Sequence, residues 1–325
     1  MDREAGLSRT RRAVAWVTVA IGNPVSSVRL IATTILLLGG VGAAASQSPA
    51  TRVVLLGTGT PNADPDRAGS AIAIVVNGAA YLVDCGPGVV RRAEGARRNG
   101  VSELAMENLR RVFLTHLHHD HTAGLPDLML TPWTLGRTAP LEVYGPAGTV
   151  AMVGHLLAAW EEDVRIRLDG LEPANRSGWQ ARARDTEPGE VYRDSNVTVT
   201  AFAVRHGSWP MAFGYTFTTR DRTIVVSGDT RATDAIVEQC RACDVLVHEV
   251  YAQAGWERLP PDWQRYHGSF HTSAPELGRL AARAQPRLLV VYHQLPWSAS
   301  ADQILEEIRA TFHGAVAYGR DLEVY

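Results

Sequence analysis

Five segments of this chain that read as strands, four of them ending in short apolar runs, each lead into a residue able to bind a metal. Val112-Phe-Leu-Thr115 runs into His116, Val204-Arg205 into His206, Ile224-Val-Val-Ser-Gly228 into Asp229, Val245-Leu-Val247 into His248, and Leu288-Leu-Val-Val-Tyr292 into His293. Continuous apolar runs of this length read as buried strands. Five strand ends that deliver His or Asp would converge at one rim of a sheet.

The first of them opens the densest cluster, since four of the eleven histidines fall within His116–His121, with Asp120 among them. His116 and His118 are two apart, close enough for both imidazoles to reach one ion. Asp120 and His121 follow at the turn and can serve a second ion beside it. Zinc takes imidazole nitrogen and carboxylate oxygen at ~2.0–2.2 Å, and a hydrolytic site leaves a position open for water. Two ions roughly 3.5–4 Å apart can clamp a nucleophile and a substrate oxygen together.

Around these runs, strands and helices alternate. Ala71–Val76 and Ala79–Asp84 are joined by Asn77-Gly78, a hairpin signal. Ser273-Ala-Pro-Glu276 is a capping box followed by Leu277, Leu280, Ala281 and Ala284 on one face, and Ile304, Leu305, Ile308 and Phe312 share another face. The alternation predicts a layered α/β domain. Arg165–Ser195, rich in charge, proline and glycine, reads as an irregular excursion.

Residues 1–45 stand apart. Arg29 precedes an apolar stretch that ends in Gly42-Ala-Ala-Ala45, the layout of a signal peptide, which leaves a catalytic domain over 50–325. Gly39-Gly40 and the short apolar length favour cleavage over an uncleaved anchor, so the expectation is an exported periplasmic or extracellular protein with no stable membrane span. The leader holds five arginines against Asp2 and Glu4, so its loss takes the formal charge from −2 to −5. That acidity disfavours nucleic acid as a partner. Every one of the 32 basic residues is arginine, which excludes Schiff-base and lysine-nucleophile chemistry. At Cys240-Arg-Ala-Cys243 export would permit a disulfide, but two cysteines three apart on a helix face are expected to pack, and redox chemistry is not expected.

The run Thr115-His-Leu-His-His-Asp-His121 resembles the HxHxDH motif of metallo-β-lactamase-fold hydrolases, whose fold is an αββα four-layer sandwich. The resemblance extends from Leu55-Leu-Gly-Thr-Gly-Thr-Pro61 through Asp84-Cys-Gly86 and Gly145-Pro-Ala-Gly148 to His293, and it is strongest to the ribonuclease Z-like and arylsulfatase-like branch. In that branch Ser227-Gly-Asp-Thr230 matches the motif of the bridging aspartate. Val247-His-Glu-Val250 resembles its His-Glu-Ala-Thr motif, and Ser269-Phe-His-Thr-Ser273 its Gly-His-Ser-Ser. The resemblance implies one zinc ion on His116, His118 and His206, a second on Asp120, His121 and His293, and Asp229 between them, with Mn²⁺ or Fe²⁺ as substitutes. It also implies that Glu249 orients His271, which protonates the leaving group. Asp120 and His248 complete the implied catalytic set. His119, His155, His267 and His313 are read as ordinary surface or packing residues.

Transfer-RNA-processing members of that branch carry a long arm between the positions of His206 and Asp229. Here 22 residues separate the two and read as the hairpin Gly214–Thr219 and Thr223–Val226. A bridging aspartate where penicillin-hydrolysing relatives have cysteine disfavours β-lactamase activity. Trp209, Trp256, Trp263, Tyr266 and Trp297, near the implied ligands in sequence, suit the wall of an aromatic pocket. The expectation is an exported dinuclear zinc hydrolase that cleaves phosphodiester or sulfate ester bonds of a small, aromatic substrate by attack of a metal-bridged hydroxide. The alternatives are a transfer-RNA 3′-processing endonuclease, a lactonase and, more remotely, a metal-stabilised binding protein without catalysis. A homodimer is compatible with this reading.

Overall fold

In the computed structural model, residues 50–325 are described, and they fall within one compact unit. The leader read at 1–45 lies outside the described residues. No helix among the described residues is long and apolar enough to cross a membrane.

Two sheets lie face to face. The first holds β1 (Thr51–Gly57), β2 (Ala71–Val76), β3 (Ala79–Val83), β4 (Arg111–Phe113), β5 (Leu141–Gly145) and β6 (Ala181–Asp185) in chain order. β1, β2 and β3 are antiparallel and the rest run parallel. The second holds β7 (Gly189–Arg193), β8 (Val197–Val204), β9 (Ala212–Thr219), β10 (Thr223–Val226), β11 (Val245–Tyr251), β12 (Leu288–Leu295) and β13 (Val316–Tyr318). Here the strands from β7 to β10 are antiparallel and those from β10 to β13 parallel.

The helices are α1 (Val89–Arg98), α2 (His119–Thr122), α3 (Leu125–Thr134), α4 (Thr149–Ala159), α5 (Glu161–Asp169), α6 (Asp234–Cys240), α7 (Gln253–Trp256), α8 (Pro261–Phe270), α9 (Ala274–Ala284) and α10 (Ala301–Arg309). Three apolar layers bind the molecule. Val89, Ala93, Leu125, Leu128 and Val153 pack α1, α3 and α4 on the outer face of the first sheet. Ile236, Leu277, Leu280, Ile304 and Ile308 pack α6, α9 and α10 on the outer face of the second. Between the sheets, Phe113 stacks on Tyr144 at 5.0 Å and meets Tyr215 and Phe217 edge-on. Burying each such ring contributes roughly 1.5–3 kcal/mol. This is the αββα four-layer sandwich expected from the sequence.

The capping box at Ser273 forms as read, with its hydroxyl accepting from the Glu276 N–H. The stretch 165–195 is more regular than its composition indicates. It supplies β6 to the edge of one sheet and β7 to the edge of the other, so it joins the two halves. Its alternation is weak because both edge strands are largely exposed. The cysteine reading also needs correction. Cys240 and Cys243 form a disulfide, because α6 stops at Cys240, and Arg241 and Ala242, both at positive φ, turn the chain back. Both cysteines remain buried in the outer layer.

Arg137, to which the sequence reading gave no role, is fully buried. Its guanidinium donates to the carbonyls of Leu109, Leu128, Met129 and Gly178 at 2.6–2.9 Å. The Leu128 carbonyl is the one that residue 132 of α3 would normally satisfy, and residue 132 is a proline inside the helix with no N–H to give.

Candidate metal centre

The implied ligands meet at the rim where β4, β8, β10 and β12 deliver them. Behind β4, Thr115 is fixed by Asp84, whose carboxylate accepts from the Thr115 backbone N–H at 2.8 Å and from its hydroxyl. The same hydroxyl lies 3.0 Å from Nδ1 of His116. After β8, Gly207 adopts φ 52°, and a Cβ there would sit 2.1 Å from the Phe270 ring. That close approach lets His206 Nδ1 donate to the Phe270 carbonyl at 2.9 Å. Before Asp229, Gly228 adopts φ 61° in a space where a Cβ would come within 2.6 Å of the Phe213 carbonyl oxygen.

Two strands depart from the strand-end reading. β11 continues through His248 to Tyr251, and β12 continues through His293 to Leu295. In β11, Val245 and Val247 face the core between the sheets while Leu246 and Val250 face the helices. Alternation therefore turns Glu249 toward the rim and His248 toward the helical layer. His248 Nδ1 bonds only the Glu249 carbonyl, so the structure does not bring His248 to the cluster. In β12 the pairing with β11 shifts by one residue between Tyr292 and Gln294, and His293, the extra residue, takes φ 43°. This bulge turns His293 inward, where plain alternation would have placed it with Leu289 and Val291 against the helices.

The remaining placements form two groups. His116 Nε2 lies 2.9 Å from His118 Nδ1, and His206 Nε2 lies 3.1 Å from the same atom. His293 Nε2 lies 3.2 Å from Asp120 Oδ2, and His121 Nε2 lies 3.6 Å from it. Asp229 stands between the groups, its Oδ2 at 3.4 Å from His121 Nε2 and 3.5 Å from His293 Nε2. His116, His121 and Asp229 form a further cluster of metal-holding geometry. All seven implied ligands are thus brought together.

The chemistry of the donor set fits cations. His121 Nδ1 donates to Asp84 at 2.7 Å, so Nε2, which faces two carboxylates, holds either a proton or a cation on its lone pair. A lone pair facing carboxylates in a buried site requires a positive charge between them. His121 Nε2 and Asp229 Oδ1 are both buried without a hydrogen-bond partner. Burial holds the His206 imidazole down to about 3 and depresses His116 and His118, which keeps these three neutral and able to donate. Burial alone would also depress His121, but the carboxylates of Asp229, Asp84 and Asp120 win and raise it. Burial would raise Asp229, yet His293 and His121 hold it well below the usual carboxylate range. The clusters are suited to binding metal ions, which would take the place of the proton on this side.

His271 lies beside them, its Nδ1 at 3.8 Å from Asp229 Oδ2 and 3.5 Å from Glu249 Oε2. Glu249 is fully buried; its Oε1 accepts from the Thr272 and Thr230 N–H groups, and its Oε2 has no hydrogen-bond partner. Asp84, quoted in the sequence reading only as part of a motif, proves to be the group that orients His121. His267, read as ordinary, lines a cleft of about 740 Å³ together with Asp229, His271, Trp263, Tyr266 and Trp297. The spacing His267–His271, one helical turn ending at the proposed acid, was the signal available in the sequence. Trp256 stacks instead on Tyr251, and Trp209 lies behind His118, its Nε1 2.9 Å from that ring's Nε2.

Residues 80–294 match the family described as the beta-lactamase superfamily domain. The ribonuclease Z of Mycobacterium sp. (strain KMS) is 32% identical over 276 residues, covering 84% of this chain and 92% of that protein. Among solved structures, the metallo-beta-lactamase fold protein YhfI of Bacillus subtilis is similar with a TM-score of 0.66 at 20% identity, over 85% of this chain and 98% of that one. The short form of human tRNase Z gives 0.62 at 22% identity, over 84% and 98%. At these identities the two structures speak for the fold alone.

Proposed function

The chain belongs to the beta-lactamase superfamily as a ribonuclease Z-like, metallo-β-lactamase-fold hydrolase, and from that premise we propose that it is a metal-dependent phosphodiesterase. The observation that carries this reading is the pair of His/Asp groups meeting at Asp229, with the His271–Glu249 pair against them. His116, His118 and His206 would hold one ion, and Asp120, His121 and His293 a second, with Asp229 reaching both. Zinc is the ion such N and O donors favour, and Mn²⁺ or Fe²⁺ can substitute. Bound there, the ions would polarise the phosphoryl oxygen and make water a nucleophile near neutral pH.

The protein groups do the rest. Asp84 fixes the ring of His121, the Phe270 carbonyl fixes that of His206, and the bulge in β12 aims His293. Glu249, locked by the Thr230 and Thr272 N–H groups, holds its second oxygen 3.5 Å from His271 Nδ1, where it would orient the ring once the two close to hydrogen-bond distance. His271 lines the cleft; burial pushes its imidazole down to about 4, so it would take up a proton as the negative charge of the bound ester raises that value, and pass it to the leaving oxygen.

Relatives named ribonuclease Z favour RNA as the substrate, in preference to the small exported ester of the sequence reading. The missing arm does not oppose this. Coverage of 84% of 325 residues places about 273 of them in a 276-position alignment, so that relative has no arm-length insert in the matched region either. The aromatic cleft instead supports a small aryl ester. Sulfate ester cleavage has no support beyond the resemblance. Export remains part of the proposal on the strength of residues 1–45, and amino-terminal sequencing of the secreted protein tests it.

The test is hydrolysis of bis(4-nitrophenyl) phosphate, an aryl sulfate, a lactone and a precursor transfer RNA by metal-replete protein. Turnover of the diester, lost on chelation and restored by zinc, is expected. Failure on the diester and on RNA alike would overturn the reading. Cleavage of the precursor at its 3′ side with far higher kcat/KM than the diester would assign RNA as substrate.

A further inference from the structure

Beside the metal centre the cleft is built of rings. Trp263 and Tyr266 stand on α8 and remain 55% and 37% exposed. Large aromatic side chains exposed together in one concave patch mark a ligand-binding groove. His267, one turn after Trp263 on the helix, stacks on it with centroids 5.6 Å apart, and its centroid lies 4.5 Å from that of Trp297. Its Nδ1 is buried without a partner.

Trp297 comes from a different element, the turn after β12. It holds φ 40°, and Ser298 after it holds φ 73°. Left-handed backbone at two consecutive non-glycine residues, one of them bulky, is strained and persists only where the surrounding structure holds it, which is commonest at functional sites. The turn is braced from below, since a Cβ on Gly255 would come within 2.3 Å of the Pro296 carbonyl oxygen and 3.2 Å of the Trp297 Cβ. The strain places the indole in the same cleft as Trp263, Asp229 and His271.

We infer that α8 and the Trp297 turn form a ring-binding subsite that seats a planar aromatic group of the substrate next to the ions, with Trp263, His267 and Trp297 as specificity-determining residues. The ring is an aryl group or a nucleobase; both present a π face to these side chains. The identity of the attached anionic group rests on the phosphodiesterase reading, but the ring site does not.

Binding to zinc-loaded full-length protein tests it, read by quenching of tryptophan fluorescence or by calorimetry. The probes are phenyl phosphonate against methyl phosphonate, and adenosine 5′-monophosphate against ribose 5-phosphate. A preference of roughly tenfold for the ring-bearing partner of a pair is expected, from one stacked ring. Trp297→Ala should reduce that preference roughly tenfold, and Trp297→Phe should retain most of it. Trp263→Ala, at an exposed position, gives the same readout if the Trp297 variant does not fold. A preference in the first pair alone assigns an aryl group, and in the second alone a nucleobase. Preference below about threefold in both pairs, or preference unmoved by both alanine variants, overturns the subsite. Retained preference in a protein that hydrolyses no phosphodiester would refute the proposed function and leave the subsite standing.

Discussion

Replacing Arg137 with methionine removes four donated hydrogen bonds from a site that water does not reach. The Leu109, Leu128, Met129 and Gly178 carbonyls each lose a charge-assisted bond, worth about 1.5–3 kcal/mol apiece. Against this, methionine relieves the burial that pulls the guanidinium down from 12.5 to about 10. At 1.36 kcal/mol per unit that relief is about 3 kcal/mol. The net loss is about 3–5 kcal/mol, toward the lower end of the sum because such terms are not additive. For a domain of this size the melting temperature should fall by roughly 6–15 °C. Thermal unfolding followed by circular dichroism at fixed zinc concentration measures it, because bound metal itself raises the midpoint. A second variant isolates the cause. Pro132→Ala returns an N–H to the Leu128 carbonyl, so it should help the Arg137→Met protein by about 1 kcal/mol more than it helps the parent. A drop below about 2 °C, or no coupling between positions 132 and 137, would refute the account of Arg137 as the repair of a proline gap.

Other expectations concern the site and the acid side of the stability curve. Asp84→Asn sets an amide donor against the Nδ1–H of His121 and should weaken zinc binding about 10- to 100-fold in competition with a chromophoric chelator; unchanged affinity would remove Asp84 from the centre's support. Gly207→Ala drives a Cβ into the Phe270 ring at positive φ, so the phosphodiesterase kcat/KM should fall at least about tenfold without loss of the folded state by circular dichroism. Burial works against ionisation of Asp194, but hydrogen bonds from Tyr81, the Asn196 N–H and Tyr192 outweigh it and lower its pKa from 3.8. Its contribution is therefore complete above the unfolded value and is lost as pH falls through the lower folded value. Urea midpoints between pH 3 and 7 should accordingly lose part of their acid-side slope in Asp194→Asn, and an identical slope would contradict this.

What could be read from the sequence was what the chain encodes locally. The His116–His121 run, the Asn77-Gly78 hairpin and the Ser273 cap each depend on residues a few positions apart, and each is found where it was expected. His206 was visible as a strand end but needed the family resemblance for its place in the ligand set, and His271 needed the resemblance altogether, since neither sits in a pattern that is distinctive alone. Arg137 was invisible because its partners are backbone carbonyls up to 41 residues away, and carbonyls leave no mark on residue type. Asp84 was visible only as part of a motif, since its work depends on φ 59° and on a contact 37 residues distant. β6 and β7 escaped notice because edge strands with both faces near water need no alternation of apolar residues.

The bulge at His293 means that part of this centre is written as a count and not as a composition. In β11 the histidine at 248 falls on the unproductive side of the tally and the acid beside it on the productive side; in the neighbouring strand one surplus residue reverses the tally and turns a histidine to use. The same letter is thus discarded in one strand and employed in the next. Loss of any single residue between Leu288 and Tyr292 would keep every ligand in the chain, yet it would set strand pairing and the aim of His293 against each other.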